Sequence, residues 1–414
     1  MKIVCTLLLV LAFVCPMHAQ EHEVAPPYNI KSAAFVQNGQ TVVPIFPLGD
    51  NFTFEFDDLF GDEANYYFQV VHCDYDWQPS QLNKAEYITG LDDQRIVQYL
   101  NSFNTLQLYS HYTLPFPNKF MRFRVSGNYI LKILNDDHEV VFSRKFILYE
   151  NLVSVPMQVK RARQVRDVNF KHNLEFSIKS TTINFQSPLQ NVKVMLLQNG
   201  RFDNAITNVK PMFTMGNDLI YRYDRETQFW AGNEFLWFEN KDVRAATNFV
   251  GRIDANETYN AYLYTHEAAG AKPYTFAPDK NGWFLPMRVN SQDPNIESDY
   301  VWTFFTLSAP AYFGKSDVYI TGMFNNYALT PEFKMEYNEK KAVYEKAVLI
   351  KQGFTNYQYV LADATGKIDF ENALDGNFYQ TENDYFAIVY YRENGQRYDR
   401  VVGKGVASSV DIVN

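Results

Sequence analysis

The stretch that most constrains the fold is residues 317–361, where short apolar runs are cut at regular intervals by turn residues. Val318-Tyr319-Ile320 is β-branched and aromatic and stops at Gly322. Asn325-Asn326 follow, and both tolerate left-handed backbone at little cost. Phe333, Met335 and Tyr337 then alternate at period two before Asn338-Glu339-Lys340 turns the chain. A third run over residues 343–350 ends at Gln352-Gly353, and Asn356-Tyr357-Gln358-Tyr359-Val360 closes the unit. Strands spaced by roughly eight to twelve residues, with Gly and Asn between them, specify an antiparallel sandwich.

The same grammar runs through the chain. Phe52, Phe54 and Phe56 alternate strictly, so one face of that strand is aromatic. Residues 66–73 form another strand, and 120–134 read as strand, Ser126-Gly127-Asn128 turn, strand. Between residues 87 and 109 the period weakens, as for a loop with short strands or a helical turn. Pro156 interrupts residues 150–157, the expected boundary of a first block. Leu174-Phe176-Ile178, Val192-Val194-Leu196 and Leu219-Tyr221-Tyr223 open a second set, residues 300–307 close it, and Ser308-Ala309-Pro310 links to the third. The expected class is therefore all-β, with tandem antiparallel β-sandwich (immunoglobulin-like or early-set) domains over residues 20–150, 151–309 and 310–402, and a tail over 403–414. Abundant aromatics, 34 Phe and 29 Tyr, suit that class.

Residues 1–19 read as a cleavable export signal: Lys2, an apolar stretch over residues 3–14, and Ala19 before the cut. Cys15 raises lipidation, but Phe13-Val14 precede it where small residues are needed. Cleavage removes Cys5 and Cys15, leaving Cys73 with no partner for an internal disulfide. No later stretch approaches the length of about eighteen apolar residues that a transmembrane helix needs. The formal charge of −9 becomes one unit more negative after cleavage, and no basic stripe is present to displace phosphate counterions, which argues against a nucleic-acid partner.

Catalytic chemistry finds little to hold. In His72-Cys73-Asp74-Tyr75-Asp76, neighbours on a strand face opposite ways, so His72 and Cys73 cannot readily pair or share a metal, and Cys73 reads as a small buried hydrophobe. The acidic runs at Asp57-Asp58 and Asp62-Glu63 lack the ligand spacing of a calcium loop. No nucleophile elbow, zinc motif or phosphate loop occurs, and nothing nominates a carboxylate pair. Catalytic, cofactor and metal residues are accordingly expected to be none.

The order strand, Gly322-x-Phe324-Asn325-Asn326-Tyr327, strand, Asn356-Tyr357-Gln358-Tyr359 resembles early-set immunoglobulin-like domains of the glycogen-binding type. A closer resemblance is to the plug protein family of the type IX secretion system of Bacteroidetes. It is carried by Phe68-x-Val70-x-His72-Cys73-Asp74-x-Asp76-Trp77, the Arg124-Val125-Ser126-Gly127-Asn128-Tyr129 hairpin and Phe142-Ser143-Arg144-Lys145-Phe146. Gly232-Asn233-Glu234-Phe235, Asp279-Lys280-Asn281-Gly282 and Glu297-Ser298-Asp299-Tyr300-Val301 continue it. The resemblance implies a non-enzymatic periplasmic protein that docks on, and seals, the periplasmic mouth of a very large outer-membrane β-barrel translocon.

Two other classes compete. A periplasmic glycan binder would use Tyr327, Tyr357 and Tyr359, but every Trp precedes Ser308 and Asp363-Ala364-Thr365-Gly366 departs from the sugar-binding pattern. An outer-membrane barrel is disfavoured by charges on both strand faces and by the terminus Ile412-Val413-Asn414, which lacks an aromatic. For partner contact, Trp77, Trp230, Phe235 and Trp237 are the candidates, because large aromatics near turns anchor interfaces. The competing reading, that they fill domain cores, is the stronger one.

Overall fold

The computed structural model describes residues 22–412; the expected export signal lies outside the described residues. Strand accounts for 44% of residues and helix for 5%, so the all-β expectation holds. In the first block, Gln40–Thr41, Ile30–Gln37, Phe52–Asp58, Ser110–Phe116 and Tyr99–Asn101 form one five-stranded sheet. It faces a second sheet of Ile45–Pro47, Val140–Tyr149, Gly127–Leu134, Tyr67–Cys73 and Gln94–Arg95. The strict alternation of Phe52, Phe54 and Phe56 puts all three inside, against Phe68, Tyr129 and Phe146. Phe46 stacks on Phe52 at 4.0 Å and Phe56 on Tyr112 at 4.9 Å between centroids. Such contacts add about 0.5–1.5 kcal/mol each beyond the area they bury.

In the later blocks the strand ladders run across the expected boundaries at 309/310 and 402/403. One sheet of the second sandwich holds Met157–Arg161, Lys171–Ile178, Asp218–Tyr221, Phe213–Met215 and Gln228–Trp230. Its opposing sheet is built from Val192–Gln198, Asp384–Tyr391 and Arg400–Ser408. A third sandwich is inserted between Gln228–Trp230 and Asp384–Tyr391. Leu236–Glu239, Gly353–Ala362, Phe284–Pro286 and Asp317–Thr321 make one side. Val250–Ala255, Tyr259–Leu263, Tyr300–Ser308, Val343–Lys351 and Glu336–Asn338 make most of the other. Tyr300–Ser308, expected to close the second block, pairs instead with Val343–Lys351 in the third. The expected tail carries ladder pairs as far as Ser408. Alternation tells which side chains face inward but not which strand is the partner, so nesting leaves no local trace.

The blocks share buried faces. On the sheet of Val192–Gln198 and Asp384–Tyr391, Val194, Leu196, Ala387 and Val389 face the second core. Met195, Leu197, Ile388 and Tyr390 pack on Ile130, Ile147, Cys73 and Trp77 of the first block. Burial on both sides explains why these strands read as nearly continuous apolar runs. Between the first and third blocks lies a buried polar seam. Asp57, fully buried, takes Lys351 Nζ at 2.6 Å, the Tyr300 hydroxyl at 2.5 Å and His111 Nδ1 at 2.7 Å. Burial pushes the Asp57 carboxyl up, but Lys351 and His111 beside it bring it below its ordinary value. The Asp299 carboxylate accepts the amides of Leu106 and Gln107, tying the 100–108 loop of the first block to the third. The three sandwiches are thus joined by both apolar and polar buried contacts.

Candidate docking surface

The aromatics singled out from sequence do not form a surface cluster. Trp77 is 6% exposed and adopts φ 63°, with Lys145 Nζ 4.6 Å above its ring and Phe202 edge-on at 5.3 Å. It seals the junction of the first and second blocks. Phe235 is buried, Trp230 is half-buried beneath Lys171, and Trp237 is half-buried against Phe249 and Phe354. Core filling, the competing reading, therefore describes Trp77 and Phe235, and the four candidates are not brought together. Tyr357 and Tyr359 also belong to the third core, and the Arg201 guanidinium lies 4.3 Å over the Tyr327 ring. The ring faces a sugar would need are occupied.

His72 and Cys73 do face opposite ways. His72 Nδ1 bonds the Ser80 hydroxyl and Nε2 the Ser126 carbonyl, and burial lowers its pKa to about 4, so the ring is neutral at physiological pH. Cys73 is packed between blocks. Among the described residues, no group of three or more His, Cys, Asp and Glu is placed to hold a metal ion.

Two carboxyls at the junction of the second and third blocks are perturbed. Burial raises Glu234 to about 7 and Asp279 to about 6. Glu234 accepts from the Tyr274 hydroxyl at 2.5 Å and the Glu382 amide at 3.1 Å; Asp279 accepts from the amides of Phe235 and Asn281. These bonds fix loops, and the cost of the buried charge falls on stability. Because Glu234 holds its proton more tightly folded than unfolded, its contribution is complete below about pH 4.3 and is lost as pH rises toward 7. A Gln keeps both acceptor contacts without the charge. Glu234→Gln should thus be more stable than wild type by roughly 1–2 kcal/mol at pH 8 and equal to it near pH 4. Urea midpoints at the two pH values check this; an equal gap at both would remove the electrostatic explanation.

The chemistry that reaches solvent lies elsewhere, in the segment where periodicity fails. Leu91, Val97 and Phe120 are 72%, 69% and 57% exposed on the first block. Val97 and Phe120 line a groove of about 860 Å³ together with Ile96, Leu114, Pro115 and Pro117. The local geometry is built to present them. Ile88–Gly90 pairs with Met121–Phe123, and the Leu91 amide donates to the Phe120 carbonyl at 3.2 Å. Gly90 has φ +88°, and a Cβ there would stand 1.8 Å from that carbonyl oxygen, so only glycine fits. Asn118 Oδ1 accepts the amides of Phe120 and Met121, turning the Phe120 ring outward. Arg95, Lys119 and Arg122 also line the groove, and no carboxylate does. In a chain of charge −9, that is a local reversal of sign. Leu100, Phe103, Leu106 and Leu108 extend the exposed apolar residues along the same segment. Contiguous exposed apolar residues make this face the candidate for contact with a partner. The sequence signal was available in Leu91, Val97 and Leu100, apolar residues without a period, but nothing local separated them from a loop packed inward.

The fold is a stack of interlocked β-sandwiches whose first block carries an apolar, cation-rimmed groove. Residues 30–150, the first sandwich, match the family described as Type 9 secretion system plug protein 1st domain. Over 94% of its length the chain is similar to a hypothetical protein from Parabacteroides merdae ATCC 43184. Identity is 32%, the TM-score is 0.88 and the whole of that crystallised chain is covered. The chain belongs to the family of this crystallised protein. No curated protein matches it.

Proposed function

We propose that the protein is a non-enzymatic periplasmic plug that docks on, and seals, the periplasmic opening of the outer-membrane β-barrel translocon of the type IX secretion system. The observation that carries this reading is the match of residues 30–150 to the plug first domain. Physical features support it. A pore wide enough for folded cargo leaks small solutes unless capped by a body that does not deform, and the buried seams make the three blocks such a body. Among the described residues no helix is long and apolar enough to cross a membrane. The groove of the first block supplies an apolar contact centre with a cationic rim, suited to a barrel segment of apolar residues flanked by carboxylates.

The test is affinity purification of the tagged mature protein from gently solubilised native outer membranes. A very large barrel is expected to co-elute in near-stoichiometric amount, and its conductance in planar bilayers should rise when the plug is removed. Recovery of the protein alone from the soluble periplasmic fraction overturns the proposal.

A further inference from the structure

Arg144 lies on Val140–Tyr149, within the Phe142-Ser143-Arg144-Lys145-Phe146 stretch, and is only 5% exposed. Its Nη1 donates to the Ser143 carbonyl at 2.9 Å, and its Nε has no hydrogen-bond partner. No carboxylate among the described residues forms an ion pair with it. Glu23 is close enough to favour the charge, but its two oxygens are taken by the Lys145 amide and the Asn326 amide group. Two other carboxylates share a cavity with Arg144: Asp203, held by Arg201 Nε and Nη2 at 2.9 and 2.6 Å, and Glu332, held by Lys31 Nζ at 2.6 Å. A buried guanidinium is costly unless an anion and hydrogen bonds compensate it. Burial accordingly holds the Arg144 pKa below its ordinary value.

Space for the missing partner is present. Arg144 lines two cavities, of about 100 and 50 Å³, and Ala33 lines both with it. The larger is walled by Val43 of the first block, Asn199 and Arg201 of the second, and Asn326 of the third, and its charged lining sets Arg144, Lys145 and Arg201 against Glu23 and Asp203. Since a water takes about 30 Å³ in the liquid, the larger cavity holds about three waters or one tetrahedral oxyanion. The free Nε edge of a guanidinium is the side that grips an oxyanion.

We propose that Arg144 forms a binding site for a small inorganic oxyanion where the three sandwiches meet, and that the bound anion ties them together. The site is independent of the docking groove and does not rest on the plug reading.

The experiment is a phosphate titration of the mature full-length protein, followed by thermal unfolding at constant ionic strength. A saturable rise in Tm is expected, with phosphate density beside Arg144 in crystals grown with it. Arg144→Met keeps apolar bulk and removes the charge. It should fold, unfold at an equal or higher temperature without phosphate, and lose the phosphate response. Arg144→Lys keeps charge without the fork and should weaken the apparent phosphate affinity about tenfold or more, which also serves if the Met variant fails to fold. A Tm indifferent to phosphate, or the same rise in wild type and both variants, overturns the site and leaves water as the occupant.

Discussion

Lys351→Met is expected to cost about 3–5 kcal/mol of folding stability, the largest effect of any single substitution considered. Lys351 and Asp57 are 2% and 0% exposed at the side chain and 2.6 Å apart, so removing the ammonium leaves a carboxylate in the seam with only His111 and Tyr300 to satisfy it. The double variant Asp57→Asn/Lys351→Met should recover most of the loss, because it removes the stranded charge as well as its partner. The pH dependence has a definite sign. In the wild type the Asp57 carboxyl lies below its ordinary value, so its contribution is present above about pH 3.9 and is lost on acidification. Without Lys351, burial is less opposed, the carboxyl rises, and the variant's deficit should shrink as pH falls. Urea unfolding of wild type, single and double variants at pH 5 and 8 measures all of this. A Lys351→Met variant within about 1 kcal/mol of wild type at pH 8 would falsify the claim that this seam locks the first block to the third.

How much of this was legible depends on which physical rule writes the signal. Faces were legible: Phe52, Phe54 and Phe56 enter the first core as their alternation requires, and His72 and Cys73 part to opposite sides. Layering was half-written, since the apolar continuity of Val192–Gln198 and Asp384–Tyr391 is what a sheet covered on both faces demands. Partnership was not legible. Tyr300–Ser308 alternates equally well for either neighbouring sandwich, and only the ladder with Val343–Lys351 decides. The burial of Trp77, one of the candidate contact residues, went unread for a related reason. Trp77 sits in a turn with left-handed backbone, which from sequence looks exposed, yet the second block folds over it. The groove went unread because apolar residues exposed on a surface obey no internal period.

Val97→Asp/Phe120→Asp should abolish most of the association with the translocon while leaving the fold intact. Both side chains are more than half exposed, so neither substitution removes core packing, and Tm should stay within about 2 °C of wild type. Buried apolar anchors at the centre of an interface are worth about 2 kcal/mol or more each, so the pair should weaken binding by at least about a hundredfold and leave little barrel in the eluate. The rim acts differently. Arg95→Glu/Lys119→Glu/Arg122→Glu reverses the sign of the groove, so association should slow and should now be speeded by added salt, while dissociation changes less. Val165, 91% exposed on the second block, provides the control: Val165→Asp should bind as wild type does. If both groove variants retain the barrel as fully as that control, the groove is not the contact. The seal must then be made by another face of the plug, whereas loss of the barrel with the groove variants alone assigns the contact to the first sandwich.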